Sequence, residues 1–460
     1  MKKDRIEKDF LGEIHVPADA YYGVHTQRSS LNFPISGLRL QSALIEGMVY
    51  VKKATAKANA ESGKLDNRIA DAIDQSCEEI LAGKLKDEFI VDVFQMGAGT
   101  SFHMNCNEVL ANRAEEILGG EKGQYRLVHP NDHVNMGQST NDVFPTAMRL
   151  GVLFLLKNVF FPSLENLTHS FLNKAKEFDL ILKSGRTHLQ DAAPIRLGQE
   201  FKAYGMTLIK CEAFLRDASR SLLELGIGGS AVGTGLNVSP DYVEKVVFYL
   251  SGWTGFDLRP AEDLRESMQS MRPMAEVSGG LRNLALELTR IANDLRLLSS
   301  GPRTGLAEIQ LPAVAPGSSA MPGKINPSML EMMNMVCYQV LGCDLTVSGA
   351  VQAGQLELNV MMPVIAFNLN FMIDILGRAM AEVSTRCIDG IQANVERCQS
   401  YAEESLALAT ALSPHIGYEK ASEVAREAYR TGKSIAEVTE EKGLLSREKI
   451  RKILDPKNLT

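Results

Sequence analysis

The stretch LRNLALELTRIANDLRLLSS, beginning at Leu281, constrains the fold most. Apolar residues fall at Leu281, Leu284, Leu288, Ile291, Leu295 and Leu298, in steps of 3, 4, 3, 4 and 3. An α-helix turns once every ~3.6 residues, so this spacing lays an apolar seam along one side, as in helices packed nearly parallel. Leu264, Met268 and Met271 continue the pattern upstream to Pro273, which is expected to bend or interrupt the helix. Segments 195–225, 327–352 and 360–385 also read as long helices. Another is expected from about Pro145 through Leu156, apolar over most of its circumference and therefore buried on several sides. Several such helices in one chain imply a bundle, and the expected class is mainly α. Their apolar surface exceeds what one slender protomer would cover, which points to oligomerisation.

At 460 residues the chain is long enough for two or three domains. Hydrophobic residues make up 45% and charged residues 23%, the balance of a globular protein, and aromatics only 6%, with a single Trp253. The bias to Ala, Leu, Met and Glu favours helix. A formal charge of −7 with no long basic run argues against nucleic acid or an anionic membrane as partner. MKKDRIEKDF has no apolar stretch behind it, so no signal peptide is expected. The most apolar run, LGVLFLLKNVFF, is expected to be broken by Lys157 and too short to span a bilayer. Seven cysteines without CxxC spacing indicate neither a zinc site nor a disulfide framework. Scattered thiols fit a reducing compartment, so the cytoplasm is expected.

Residues 1–140 form a mixed, mostly helical region, 141–394 the long helices, and 395–460 short amphipathic helices in a small separate unit. Polar islands interrupt the helical pattern: GAGTSFHMN (97–105), GQSTND (137–142), GRTHLQDA (185–192) and the opening stretch. Each starts at or near a glycine and is expected to run into a helix. Singly, each is explained by helix capping. Together, Thr100, Ser139, Thr140, Asn141, Thr187 and His188 set several donors at helix starts, where free backbone N–H groups and the dipole favour anions. With Lys324 and Asn326 they suit a small dicarboxylate. No Walker lysine and no GxGxxG behind a strand is present, and the eight histidines lack metal-ligand spacing, so neither a metal nor a cofactor is expected. His103 and His133 read as structural or solvent-facing.

A breaker-rich segment in the second half, PGSSAMPGKINP (Pro316–Pro327), clusters Ser318, Ser319, Lys324 and Asn326 between prolines and glycines. Residues 317–327 resemble the signature loop of the aspartase/fumarase superfamily, GSSxMPxKxNP, throughout. GRTHLQDA, AVGTGLN (231–237) and GQSTND match further blocks of that family, in order, and the resemblance runs from about Ile6 to the C-terminus. It implies a three-domain fold whose central long-helix bundle, residues 141–394, assembles into a tetrameric helical core. Each active site would then be built from three chains of a homotetramer. It also implies β-elimination to fumarate: a proton leaves the carbon beside a carboxylate, and the charge moves onto that carboxylate as an aci-carboxylate. Preorganised donors aimed at those oxygens are the main catalytic term for such an intermediate.

By the same match Ser318 is the base, acting as an alkoxide, with Ser319 beside it; Lys324 and loop N–H groups would lower its pKa. Gly317, Met321, Pro322 and Gly323 belong to a loop that closes as a lid. Thr100, Asn141 and His188 would contact the amino end, and Thr187, Lys324 and Asn326 the carboxylate oxygens. Ser139, Thr140 and Ser319 would assist, and Glu331 would support His188. Within the family, IEKDFLG…VPADAYYGVHT (6–27), GAGTS (97–101), STN (139–141) and AGQLELNVM (353–361) are similar to the aspartate branch, where class II fumarases have Trp-Gly, GSGTQ, SSN and SGNFELNVF. VHPNDHVN and NDVFPTAM are at least as fumarase-like. Met362 and His103 depart from the usual Glu and Asn. The resemblance thus implies cleavage of L-aspartate to fumarate and ammonia, with malate dehydration as the alternative. A lyase of bulkier succinyl-amines fits the N-terminal blocks less well, and intact Ser318, Lys324 and Asn326 argue against a non-enzymatic scaffold.

Overall fold

The computed structural model describes residues 4–455 and Leu459. Antiparallel strands β1 (Asp4–Asp9) and β2 (Gly12–Pro17) open it. Helices follow: α1 (Val24–Asn32), α2 (Ser42–Glu61), α3 (Asn67–Leu81), α4 (Thr100–Ile117) and α5 (Thr140–Leu155). One π turn, Leu156–Phe160, carries α5 into α6 (Phe161–Glu177). A hairpin of β3 (Leu182–Thr187) and β4 (Gln190–Arg196) precedes α7 (Leu197–Ser219), α8 (Tyr242–Thr254) and α9 (Leu264–Gln269). The long helices α10 (Arg272–Leu298), α11 (Ser328–Val351) and α12 (Met362–Arg386) come next. Short helices end the chain: α13 (Val395–Glu404), α14 (Ala409–Ile416), α15 (Tyr418–Thr431), α16 (Ile435–Glu441) and α17 (Arg447–Ile453). Helix accounts for 63% of the residues, so the class is mainly α and the hairpins are accessory.

The seam lies where its spacing puts it. Leu281, Leu284, Leu288, Ile291, Leu295 and Leu298 in α10 are only 0 to 7% exposed, and burying each such side chain contributes roughly 2 kcal/mol. Pro273 sits in the first turn of α10, where its missing N–H costs nothing, and the chain before it ends α9 at Gln269. The helix expected from Pro145 starts earlier, at Thr140, because Ser139 and Asp142 form a capping box.

Two expectations are corrected. Lys157 does not break the apolar run: Thr140–Glu177 is one 38-residue helix with a mean hydropathy of 1.4 over its most apolar window. By length and composition it could cross a membrane, as could Met362–Gly390, but 78% and 61% of their apolar windows are buried within the protein. Lys157 and Asn158 fall on the exposed side of the π turn, so the helix continues beneath them. Secondly, GRTHLQDA does not run into a helix. It turns back on itself as the β3–β4 hairpin, with His188 and Leu189 both at positive φ, 56° and 59°, at the tip.

The described chain divides into two compact units, with boundaries inside α6, α7, α10, α11 and α12. The first holds Met1–Phe161, Ala213–Ala285 and Tyr338–Gly377. Its centre is α2, against α3, α5 and α8. A Cβ on Gly47 would lie 2.4 Å from the Ala147 carbonyl, so glycine lets α2 and α5 approach backbone to backbone. The second unit holds Pro162–Glu212, Leu286–Cys337 and Arg378–Thr460. In it α13 lies against β3, and α14–α16 close around their own core of Leu412, Val424, Ala428, Ile435 and Val438.

Candidate active site

In the first unit the polar residues gather at two helix starts. Ala98 (φ 63°) and Gly99 (φ 87°) turn the chain into α4. A Cβ on Gly99 would sit 2.2 Å from the Phe144 ring, so only glycine fits there. Thr100 is then the first helical residue, half-buried, its Oγ1 donating to the Gly97 carbonyl at 3.3 Å. At α5, Ser139 Oγ accepts from the Asn141 N–H (3.3 Å) and Asp142 Oδ1 accepts from the Ser139 N–H (2.9 Å). The second oxygen of Asp142 accepts from the Gly228 and Ser230 N–H groups at 2.9 and 3.0 Å. Asn141 Nδ2 donates to the Ala231 carbonyl at 2.9 Å. The AVGTGLN block is thereby docked on the start of α5, and its glycines serve that docking: a Cβ on Gly233 would meet the Arg265 backbone at 2.7 Å.

Behind this helix start lies a buried polar chain. Thr140 Oγ1 is 2.7 Å from His103 Nδ1, and His103 Nε2 is 2.6 Å from Lys52 Nζ. Burial lowers the Lys52 pKa to about 7, and burial together with the Lys52 charge holds the His103 imidazolium well below its usual range. His103 is therefore structural and buried, not solvent-facing. His133 is also engaged locally, its Nδ1 accepting from the His129 N–H at 2.8 Å. Met362, fully buried, begins α12 as core.

In the second unit the hairpin tip presents Thr187 and His188 to solvent. The strand beneath is anchored by buried charges. Glu308, fully buried, receives Arg186 Nη1 at 2.9 Å and lies 3.3 Å from Lys183 Nζ, which also pairs with Glu200 at 2.9 Å. Each buried charge is thereby paired, so removing one partner would leave the others uncompensated beside β3.

The loop 317–327 is closed by its own hydrogen bonds. The Gly317 N–H donates to the Lys324 carbonyl at 2.8 Å, and Asn326 Nδ2 donates to the Gly317 carbonyl at 2.5 Å. Gly323 turns at φ 78°. Ser318 Oγ accepts from two backbone donors, the Ala320 N–H at 3.1 Å and the Met321 N–H at 2.9 Å. Donors of this kind favour a negatively charged oxygen over a neutral hydroxyl. Ser319, Met321, Pro322 and Lys324 are exposed, and Glu331 stands in the first turn of α11. Among the described residues no hydrogen bond joins Thr187 or His188 to the loop or to Glu331, and none joins Lys324 to Ser318. Two backbone N–H groups of the loop thus supply one part of the help expected for Ser318.

Sequence reasoning missed Lys52, Asp142, Lys183 and Glu308. Asp142 was readable, as the fourth residue of a Ser-x-x-Asp capping pattern. The others act across long stretches of chain and left no local signal.

Helical fold, serine loop and donor-bearing helix starts define a lyase architecture, and comparison with known proteins agrees. A family profile described as lyase matches residues 12–342, and one described as fumarase C C-terminus matches residues 408–460. The chain is 49% identical over 456 residues to an aspartate ammonia-lyase of Bacillus sp, covering 99% of this chain and 97% of that one. It is 48% identical over 456 residues to a class II fumarate hydratase of Halobacterium salinarum, at 99% and 97% coverage. The crystal structure of a fumarate lyase:delta crystallin from Brucella melitensis superimposes with a TM-score of 0.95 at 48% identity, covering 99% of both chains. The chain belongs to the aspartase/fumarase superfamily and is an enzyme, a lyase.

Proposed function

We propose that the chain is an aspartate ammonia-lyase, a carbon–nitrogen lyase that reversibly eliminates ammonia from L-aspartate to give fumarate. Ser318 Oγ, as the alkoxide, takes the proton from the carbon beside the side-chain carboxylate. The electron pair moves onto that carboxylate, forming the aci-carboxylate. On its return the carbon–carbon double bond forms, the C–N bond breaks, and that bonding pair leaves with nitrogen. The observation that carries this reading is the pair of backbone N–H groups donating to Ser318 Oγ, because a serine serves as base only where its anion is stabilised. Lys324, Asn326 and Thr187 hold carboxylate oxygens; Thr100, Asn141 and His188 receive the amino end; Ser139, Thr140 and Ser319 assist, and Glu331 supports His188. Gly317, Met321, Pro322 and Gly323 let the loop close over the substrate.

The reading includes three domains, 1–140, 141–394 and 395–460, the last supported by the separate core of α14–α16. It also includes a homotetramer whose active sites each draw on three subunits. Met335, Tyr338 and Leu345 on α11, 67%, 57% and 75% exposed, support that assembly by leaving an apolar face on a core helix. The cytoplasm suits seven free thiols. Malate dehydration is the second reading, favoured by the 48% identity to a class II fumarate hydratase. The test of the base is Ser318→Ala. Turnover should fall by a factor of roughly 10³ or more with the melting temperature unchanged, and activity within tenfold of wild type would remove Ser318 from that role.

A further inference from the structure

Lys52 is fully buried in α2, and its Nζ meets three groups: His103 Nε2 at 2.6 Å, Gln138 Oε1 at 2.7 Å and Asn135 Oδ1 at 3.2 Å. The amide orientations follow from their other ends. Gln138 Nε2 donates to the Val134 and Met136 carbonyls at 3.0 and 3.2 Å, and Asn135 Nδ2 to the Gln138 carbonyl at 3.4 Å. Both amides therefore offer oxygen to the lysine. An ammonium has three N–H donors, and here three acceptors converge on it, so His103 Nε2 accepts. A neutral imidazole with a bare Nε2 carries its proton on Nδ1. That nitrogen lies 2.7 Å from Thr140 Oγ1 and so donates to it. The hydroxyl, having accepted one hydrogen bond, has its own proton directed away from His103. Thr140 is half-buried at the first position of α5, between Ser139 and Asn141, where the helix N-terminus already favours an anion.

We propose that His103, oriented by Lys52, is a positioning residue that makes the Thr140 hydroxyl a hydrogen-bond donor to the carboxylate substrate. The proposal rests on the reading above, which gives Thr140 to the substrate. It concerns polarity rather than mere support: what matters at position 103 is an acceptor towards Lys52 and a donor towards Thr140. Asparagine supplies both from one amide. Aspartate fills the same space and pairs with Lys52, but its oxygens only accept, so Thr140 would have to donate to Asp and face the substrate without a proton. The condition is a protonated Lys52, which holds below pH ~7. The other titratable groups facing Lys52 are Asp142 on α5, which favours the ammonium, and the thiols of Cys106 on α4 and Cys77 on α3.

The test combines spectroscopy and kinetics at pH 6, on whichever of L-aspartate and L-malate the wild type turns over, so its outcome is separate from the choice between those substrates. With ring-¹⁵N histidine in the full chain, the His103 signal, identified by its loss in His103→Asn, should show a protonated Nδ1 and a bare Nε2. His103→Asn should keep kcat/KM within about threefold of wild type. His103→Asp should lose roughly 10- to 100-fold, the range for a hydrogen bond to a charged group, and that loss should vanish in a Thr140→Val background. A protonated Nε2 would overturn the proposal even if the Asp variant failed to fold. So would equal kinetics for the Asn and Asp variants, or an Asp penalty that persists without the Thr140 hydroxyl. If Thr140→Val alone changed neither kcat nor KM, Thr140 would lose its substrate contact and the proposal with it, whereas the tautomer would remain as observed.

Discussion

Lys52 sets an amine where water cannot reach it, and its titration gives a prediction with a definite sign. Burial lowers its pKa from 10.5 to about 7 in the folded protein. Between those values the unfolded chain binds the proton and the folded one does not. The folded state therefore carries a penalty that is full below pH ~7 and disappears as pH rises towards 10.5. Relative to Lys52→Met, which has no such proton, the wild type should gain up to a few kcal/mol of stability between pH 7 and 10. Denaturant unfolding of both proteins across that range checks it; a difference that stays flat or shrinks with pH would mean that Lys52 titrates normally. The same residue marks where sequence reading stops. Thr140 was singled out as a donor at a helix start, but its link to His103 and Lys52 joins residues 37 and 51 positions apart, and no periodicity or local motif reports such a meeting.

Individual elements were legible where the deciding interactions are local. The seam of α10, the stop before Pro273 and the cap at Ser139 all depend on residues within about four positions, and each appears in the structure. The β3–β4 hairpin was not legible, because its tip sets His188 and Leu189 at positive φ, without the Asn or Gly that normally signals such a turn. The long helix through Lys157 was misread because a single charge can face outward without ending a helix. The serine loop was legible by its resemblance, and its geometry gives a testable weak point. A Cβ on Gly317 would lie 2.6 Å from the Lys324 carbonyl and 2.7 Å from the Asn326 nitrogen. Gly317→Ala should therefore open the loop and displace Ser318, lowering kcat by about 10²-fold. The loop is largely exposed, so thermal stability should change by less than ~1 kcal/mol. Unchanged kcat would show that the loop's closure does not matter to catalysis.

At the scale of the whole molecule, the two units carry separate parts of the proposed donor set. Thr100, Ser139, Thr140 and Asn141 belong to the first, and Thr187, His188, Ser318, Lys324 and Asn326 to the second. The proposed homotetramer, whose active sites draw on three subunits, depends on the apolar face of α11. Charging that face with Met335→Lys and Leu345→Lys should dissociate the assembly in sedimentation analysis and abolish turnover together. An active, monomeric double variant would show that one chain suffices. The central claim is the reaction itself, and it is tested most directly by following fumarate formation from L-aspartate and from L-malate in parallel on the purified protein. Fumarate from L-aspartate with an equal amount of ammonia, and none from L-malate, is the result this account predicts; fumarate from L-malate alone would contradict it.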